Sequence, residues 1–169
     1  MSMSAKENTI TNVIIGGGCA GLSLARHADK LKRGVTVMLT GRDKRQDHSW
    51  GFFLNDDTKD AAPMVRKMWH KWQIITPNKK ITQSAKNHPY AGLESKAWLS
   101  ACRDEAQAQG VQLSSASVQD VQGNIITTDQ GSISAEVIYD SRPTQPPNGI
   151  MIQSFIGHEI QTAMPVFDP

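Results

Sequence analysis

Apolar and polar positions alternate along the chain in segments of different period. After a polar leader over residues 1–10, Thr11-Asn-Val-Ile-Ile15 is a short β-branched run that passes at once into Gly16-Gly-Gly-Cys-Ala-Gly21. Leu22 to Lys32 then places apolar residues at 22, 24, 25, 28 and 31, close to a helical stripe, with basic residues near its end. Gly34 is a stop, and Val35-Thr-Val-Met-Leu-Thr40 is a second strand. Strand, glycine loop, helix and strand in this order make a βαβ unit.

Residues 41–60 read as polar and irregular apart from the aromatic cluster His48-Ser-Trp-Gly-Phe-Phe53. In Pro63 to Trp72, residues Met64, Val65, Met68, Trp69 and Trp72 share one helical face while Arg66, Lys67, His70 and Lys71 point elsewhere, which predicts an amphipathic helix. Two strand-like runs from Lys71 to Ser84 are separated by the turn signal Pro77-Asn78. Leu93 to Gln109 reads as a helix stopped by Gly110. Val111 to Ile138 reads as an antiparallel meander with turns at Gly123-Asn124 and Gln130-Gly131, ending in the buried strand Ala135 to Tyr139 and closed by Asp140-Ser-Arg-Pro143. Ile150 to Ile160 is one more strand, and the chain stops at Pro165-Val-Phe-Asp-Pro169 with no element to cover it, as a truncated chain would.

Composition narrows the class. With 169 residues, 38% hydrophobic and 20% charged, the sequence is that of a globular chain and not of a disordered or fibrous one. The longest apolar run, Val13 to Leu22, is broken by glycines and falls short of the ~18 residues of a spanning helix, and no leader of secretory type opens the chain. Cys19 and Cys102 make no disulfide framework, and no Cys/His spacing suits a metal, so a reducing cytoplasm fits best. Residues 1–90 hold 15 Lys and Arg against 7 Asp and Glu, a balance of +8, and residues 91–169 hold 3 against 9, a balance of −6. The basic half reads as a solvated face or as a surface for an anionic partner, and Trp69 and Trp72 beside lysines suit a membrane interface as well as a core.

The glycine loop carries the chemistry. In Gly16-x-Gly18-x-x-Gly21 the first glycine permits the tight turn, the second lets a pyrophosphate approach the backbone, and the third lets helix and strand pack closely. The phosphates then meet the free N–H groups at the helix start, so Gly16, Gly17, Gly18, Cys19, Ala20 and Gly21 are the expected dinucleotide contacts. An Asp or Glu about 20 residues on usually takes the ribose hydroxyls, and here Thr40 stands in its place, offering one hydroxyl. Arg42 is compatible with a 2′-phosphate. The downstream order of a long insertion and then a meander, without further βα units, is that of a glutathione-reductase-like FAD domain.

The sequence resembles the N-terminal part of the bacterial lycopene β-cyclases. The resemblance runs from Asn12 to Pro169 and is carried by the Gly16 to Gly21 loop, Asp47-His-Ser-Trp-Gly-Phe-Phe53, Pro63 to Pro77, Tyr90-Ala-Gly-Leu-Glu-Ser95, Val137-Ile-Tyr-Asp-Ser-Arg142 and Gln153-Ser-Phe-Ile-Gly-His-Glu159. Thr40 departs from the family's acidic residue, and Pro143 stands where a glycine is usual after the Arg. The resemblance implies a Rossmann-like α/β fold with an inserted antiparallel region and a meander: a leader over 1–10, an FAD domain over 11–145 with an insertion at about 41–92, and a cut-off substrate domain from 146 to 169. It also implies cyclisation of each ψ-end of lycopene, or a related carotenoid, to a β-ring with no net redox change. A reduced FAD would stabilise the cationic charge, NADPH would keep it reduced, and a membrane surface would deliver the substrate, with neither metal nor nucleic acid as partner. Glu159 is implied as a catalytic residue, Asp140 and Arg142 as closing the strand that passes near the flavin, and His48 and Trp50 as lining the pocket. The alternatives are another FAD-dependent isoprenoid oxidoreductase, of geranylgeranyl-reductase or epoxidase type, and an inactive nucleotide-binding fragment.

Overall fold

A computed structural model describes residues 9–31, 34–39, 48–143, 149 and 163–164. Strand β1 (Thr9–Ile15) is the centre of the molecule. It pairs in parallel with β2 (Val35–Met38) on one side and with β11 (Gly131–Asp140) on the other. Both neighbours and both faces of β1 are covered, and so Val13, Ile14 and Ile15 are all fully buried, as a near-continuous apolar run predicts for a parallel strand. Ile14 packs on the helical side with Leu22, Ala25, Val35, Val37, Cys102 and Ala106, while Val13 and Ile15 lie on the opposite side with Met38, Ile126 and Ala135.

The six-stranded sheet runs β8-β2-β1-β11-β10-β9. Here β9 (Val118–Gln122), β10 (Ile125–Thr128) and β11 form the antiparallel meander expected from the turn signals. Strand β8 (Gln112–Ser114) corrects that expectation, because it leaves the meander and pairs in parallel with β2. Helix α2 (Ser95–Ala108) delivers β8 to that edge. It ends where the sequence predicts: Gly110 has a φ of 81°, its N–H donates to the Gln107 carbonyl, and the Val111 N–H donates to the Ala106 carbonyl.

The first helix differs from the reading over 22–32. Helix α1 (Cys19–Ala25) starts at the glycine loop itself and gives way to a 3-10 turn over Ala28–Leu31. The end of α2 holds the break open. The Gln109 side chain donates to the Arg26 carbonyl at 2.6 Å and accepts the Asp29 N–H at 2.9 Å, replacing the bonds a continuing helix would have made.

Between β2 and α2 lies the antiparallel insertion. Strands β3 (Ser49–Phe53), β7 (Tyr90–Glu94) and β4 (Lys67–Trp69) form one sheet, and β5 (Lys71–Thr76) with β6 (Lys79–Ser84) form a separate hairpin around Pro77-Asn78. Most of the aromatic cluster singled out over 48–53 is therefore strand β3. The amphipathic helix expected over 63–72 is absent: a 3-10 segment spans Lys59–Met64, with Pro63 inside it, and the rest is β4 and the start of β5. Cross-strand contacts decide the matter. Lys67 and Trp69 stand opposite Gly92 and Tyr90, and the Trp69 ring lies over Gly92, where a Cβ would already meet it at 3.4 Å. Among the described residues no helix is long and apolar enough to cross a membrane.

Candidate functional site

The turn from β1 into α1 is built from groups that leave no room for side chains. Gly16 has a φ of 107°, a left-handed value that favours glycine, and its N–H donates to the Met38 carbonyl at 2.9 Å, tying the turn to the end of β2. A Cβ on Gly21 would run into the Gly16 carbonyl oxygen, and one on Gly16 would run into the Ser141 hydroxyl. On Gly17 a Cβ would stand 2.6 Å from Leu39 Cδ2. Gly18 is the extended residue before the helix, and the Leu22 N–H makes the first helical bond to its carbonyl at 3.0 Å. Cys19 and Ala20 are exposed on the first turn, where backbone N–H groups have no intrahelical acceptor. This is a glycine cradle of the kind that admits a pyrophosphate, in the crevice outside the carboxyl ends of parallel strands.

Sequence reading missed the residue that locks the cradle. Ser141 donates its hydroxyl to the Ile15 carbonyl at 2.8 Å, and its backbone N–H donates to the same oxygen at 2.9 Å. It sits between the two residues that the sequence does single out, Asp140 and Arg142, and the signal for it was this position at the end of a strand that pairs with β1. Asp140 stands opposite Ile15 in the register, so the ends of β1 and β11 meet at the glycine turn.

Asp140 and Arg142 bind each other. The guanidinium donates to both carboxylate oxygens, with the shortest bond at 2.6 Å, and the Arg142 N–H adds a further one at 3.0 Å. The hydrogen bonds from Arg142 hold the Asp140 carboxyl below its ordinary range, and Asp140 in turn raises the guanidinium. A carboxyl with a depressed value stabilises the fold above its unfolded value, near ~3.9, and loses that contribution as pH falls through the folded value. Both side chains are more than a third exposed, which limits the contribution to less than about 1 kcal/mol. The stability gap between the protein and Asp140→Asn, read by urea denaturation, should be constant from about pH 7 to 5 and shrink below about pH 4. A gap unchanged at about pH 3 would show that charge pairing is not what Asp140 contributes.

Beside the cradle lies a cavity of about 550 Å³, open to solvent and lined by α1, β3, the 59–64 segment and α2. Cys19, Ser23, Trp50, Phe52, Leu93 and Trp98 give it a mostly apolar wall. Trp98 donates its indole N–H to Ser23 at 3.0 Å, and Arg26, under the Trp98 ring at 5.0 Å, bonds Glu105 at 2.7 Å. Trp50 lines this cavity, whereas His48 does not; the His48 backbone N–H bonds the Ser95 hydroxyl at 3.0 Å. Cys102 is buried in the core, where burial pushes its thiol up, and takes no part in the site. Thr40, Arg42 and Glu159 lie outside the described residues.

A parallel sheet with a glycine-lined turn at β1–α1, an antiparallel insertion and a meander returning beside β1 defines a Rossmann-like dinucleotide-binding α/β fold. The chain belongs to the lycopene cyclase family: the model described as lycopene cyclase protein matches residues 12–169. No curated protein matches the sequence. Among solved structures, the chain is similar to the tetrameric form of 2-methyl-3-hydroxypyridine-5-carboxylic acid oxygenase, with TM-score 0.62 and 17% identity over 78% of this chain and 38% of that one. It is also similar to the peptidyl tryptophan dihydroxylase QhpG, with TM-score 0.55 and 18% identity over 84% and 34% of the two chains. A third is PqsL from Pseudomonas aeruginosa, described as a probable FAD-dependent monooxygenase, with TM-score 0.58 and 13% identity over 78% and 42%. At these identities the likeness establishes the fold, and the chain spans well under half the length of each of these proteins.

Proposed function

We propose that this chain carries the FAD-binding part of an enzyme that cyclises the ψ-ends of lycopene, or of a related carotenoid, to β-rings. The observation that carries this reading is the family match over 12–169, in a chain whose β1–α1 turn is a glycine cradle. The matched span includes 47–53 and 153–159, the stretches that separate the cyclase reading from another FAD-dependent isoprenoid oxidoreductase. When bound and reduced, with NADPH as reductant, FAD supplies an electron-rich neighbour for the positive charge that follows alkene protonation.

The chain's own residues have simpler tasks. The N–H groups from Gly17 to Gly21 receive the pyrophosphate, Ser141 fixes the turn that presents them, and Thr40 offers a hydroxyl to the ribose. Asp140 and Arg142 cap the strand end beside the cofactor, and Glu159 contributes to the acid chemistry. In this division residues 11–145 are the FAD domain, with the insertion at about 41–92, and 146–169 open the substrate domain. The substrate is a hydrocarbon dissolved in lipid, so the enzyme works on the cytoplasmic side at a membrane surface. Expressing the complete reading frame in lycopene-accumulating cells should yield β-carotene on chromatography; lycopene alone would sink the proposal.

A further inference from the structure

Between Asp60 and Glu94 the sequence holds six basic residues, Arg66, Lys67, Lys71, Lys79, Lys80 and Lys86, and not one Asp or Glu. Arg66 is committed to Glu94 at 2.7 Å, while the five lysines are all exposed. Lys71, Lys79 and Lys80 belong to the β5–β6 hairpin, a two-stranded sheet whose strands pair with each other alone among the described residues. Its register puts Trp72 and Ile74 on one face, opposite Gln83 and Ile81, and Ile75 on the other, opposite Lys80. Ile75 is 70% exposed, Ile74 48% and Trp72 37%, and Met68 and Trp69 at the hairpin's base are exposed to a similar degree. An isolated two-stranded ribbon is marginal in water, and apolar side chains on both of its faces gain little from solvent.

We propose that the β5–β6 hairpin docks the protein on an anionic lipid surface, with Trp72, Ile74 and Ile75 entering the acyl boundary and Lys71, Lys79 and Lys80 meeting headgroup phosphates. The run of positive charge without acids selects a negative partner. The apolar residues select lipid among negative partners: the hairpin's most exposed apolar side chain, Ile75, gains nothing against a phosphate backbone but partitions favourably into the acyl boundary. A single-stranded nucleic acid would stack on Trp69 and Trp72 along the basic face but would leave Ile74 and Ile75 without an apolar partner. For the membrane-dissolved substrate the proposal rests on the cyclase reading, and it goes beyond that reading in naming the element that docks. Docking is measured without any carotenoid, so its failure is distinct from failure of cyclisation.

The experiment is co-sedimentation of the whole chain with vesicles of phosphatidylcholine containing phosphatidylglycerol, beside vesicles of phosphatidylcholine alone. Binding should require the anionic lipid and weaken as salt is raised. Lys79→Ala with Lys80→Ala should weaken partitioning roughly 25-fold, the product of about fivefold for each lysine. Ile75→Ser, which leaves every charge in place, should weaken it about tenfold. In the unaltered protein, lipids carrying a bromine quencher should reduce the tryptophan emission, a readout that needs no variant to fold. Equal binding to neutral vesicles, absence of quenching, or indifference to the lysine pair overturns the proposal. So does tighter binding to a single-stranded oligonucleotide that Ile75→Ser leaves unchanged.

Discussion

Gly21→Ala should destabilise the protein by about 3 kcal/mol or more and abolish dinucleotide binding. The added methyl meets the Gly16 carbonyl oxygen, which is backbone, with the Ser141 hydroxyl at 3.0 Å behind it. Neither can step aside, because Ser141 is bonded to the Ile15 carbonyl and Gly16 is bonded to Met38. Two other glycines calibrate the effect. Gly17→Ala meets only the flexible end of Leu39 and should cost about 1 kcal/mol, and Gly34→Ala, with nothing within 4 Å of its Cβ, should stay within about 0.5 kcal/mol. Urea denaturation gives all three, and a Gly21→Ala protein as stable as Gly34→Ala would show that the cradle is looser than described.

Leu22→Ala should cost about 2–5 kcal/mol, the range for removing a fully buried leucine. Helix α1 has seven residues, too few to persist without tertiary support, and Leu22 is its largest fully buried side chain. The cavity it leaves lies between the helix and Ile14, Val35 and Val37, so the helix start beside the glycine turn loosens with it. Leu24→Ala, half-buried on the cavity side of the same helix, should cost less than about 2 kcal/mol. Equal denaturation midpoints for the two variants would contradict this account of how α1 is held.

The parts of the fold that local signals specify are those the sequence reveals. Ile15 to Gly21 reads as strand, turn and helix because the glycines serve steric needs a few residues apart; Pro77-Asn78 and Gly110 mark a hairpin and a helix end for the same reason. The failures are long-range. Ten residues from Pro63 to Trp72 fit a helical stripe, yet Trp69 finds Tyr90 and Gly92 across a sheet, and no periodicity within the segment encodes those partners. Likewise β8 is drawn out of the meander by the edge of β2, far earlier in the chain. At the site, the glycines were legible and Ser141 was not, since its bond joins residues separated by 126 positions.

That separation also sets a schedule for synthesis. The glycine motif leaves the ribosome early, but the strand that flanks β1 and the hydroxyl that locks its turn arrive only with residues 131–141. At ~5–20 residues per second the wait is roughly 6–25 s. Throughout it β1, with its run of Val13, Ile14 and Ile15, has an open edge able to pair with the wrong strand, of its own chain or another. Such distant pairing makes folding slow, so a nascent chain of this protein is a natural client for chaperones until β11 has docked.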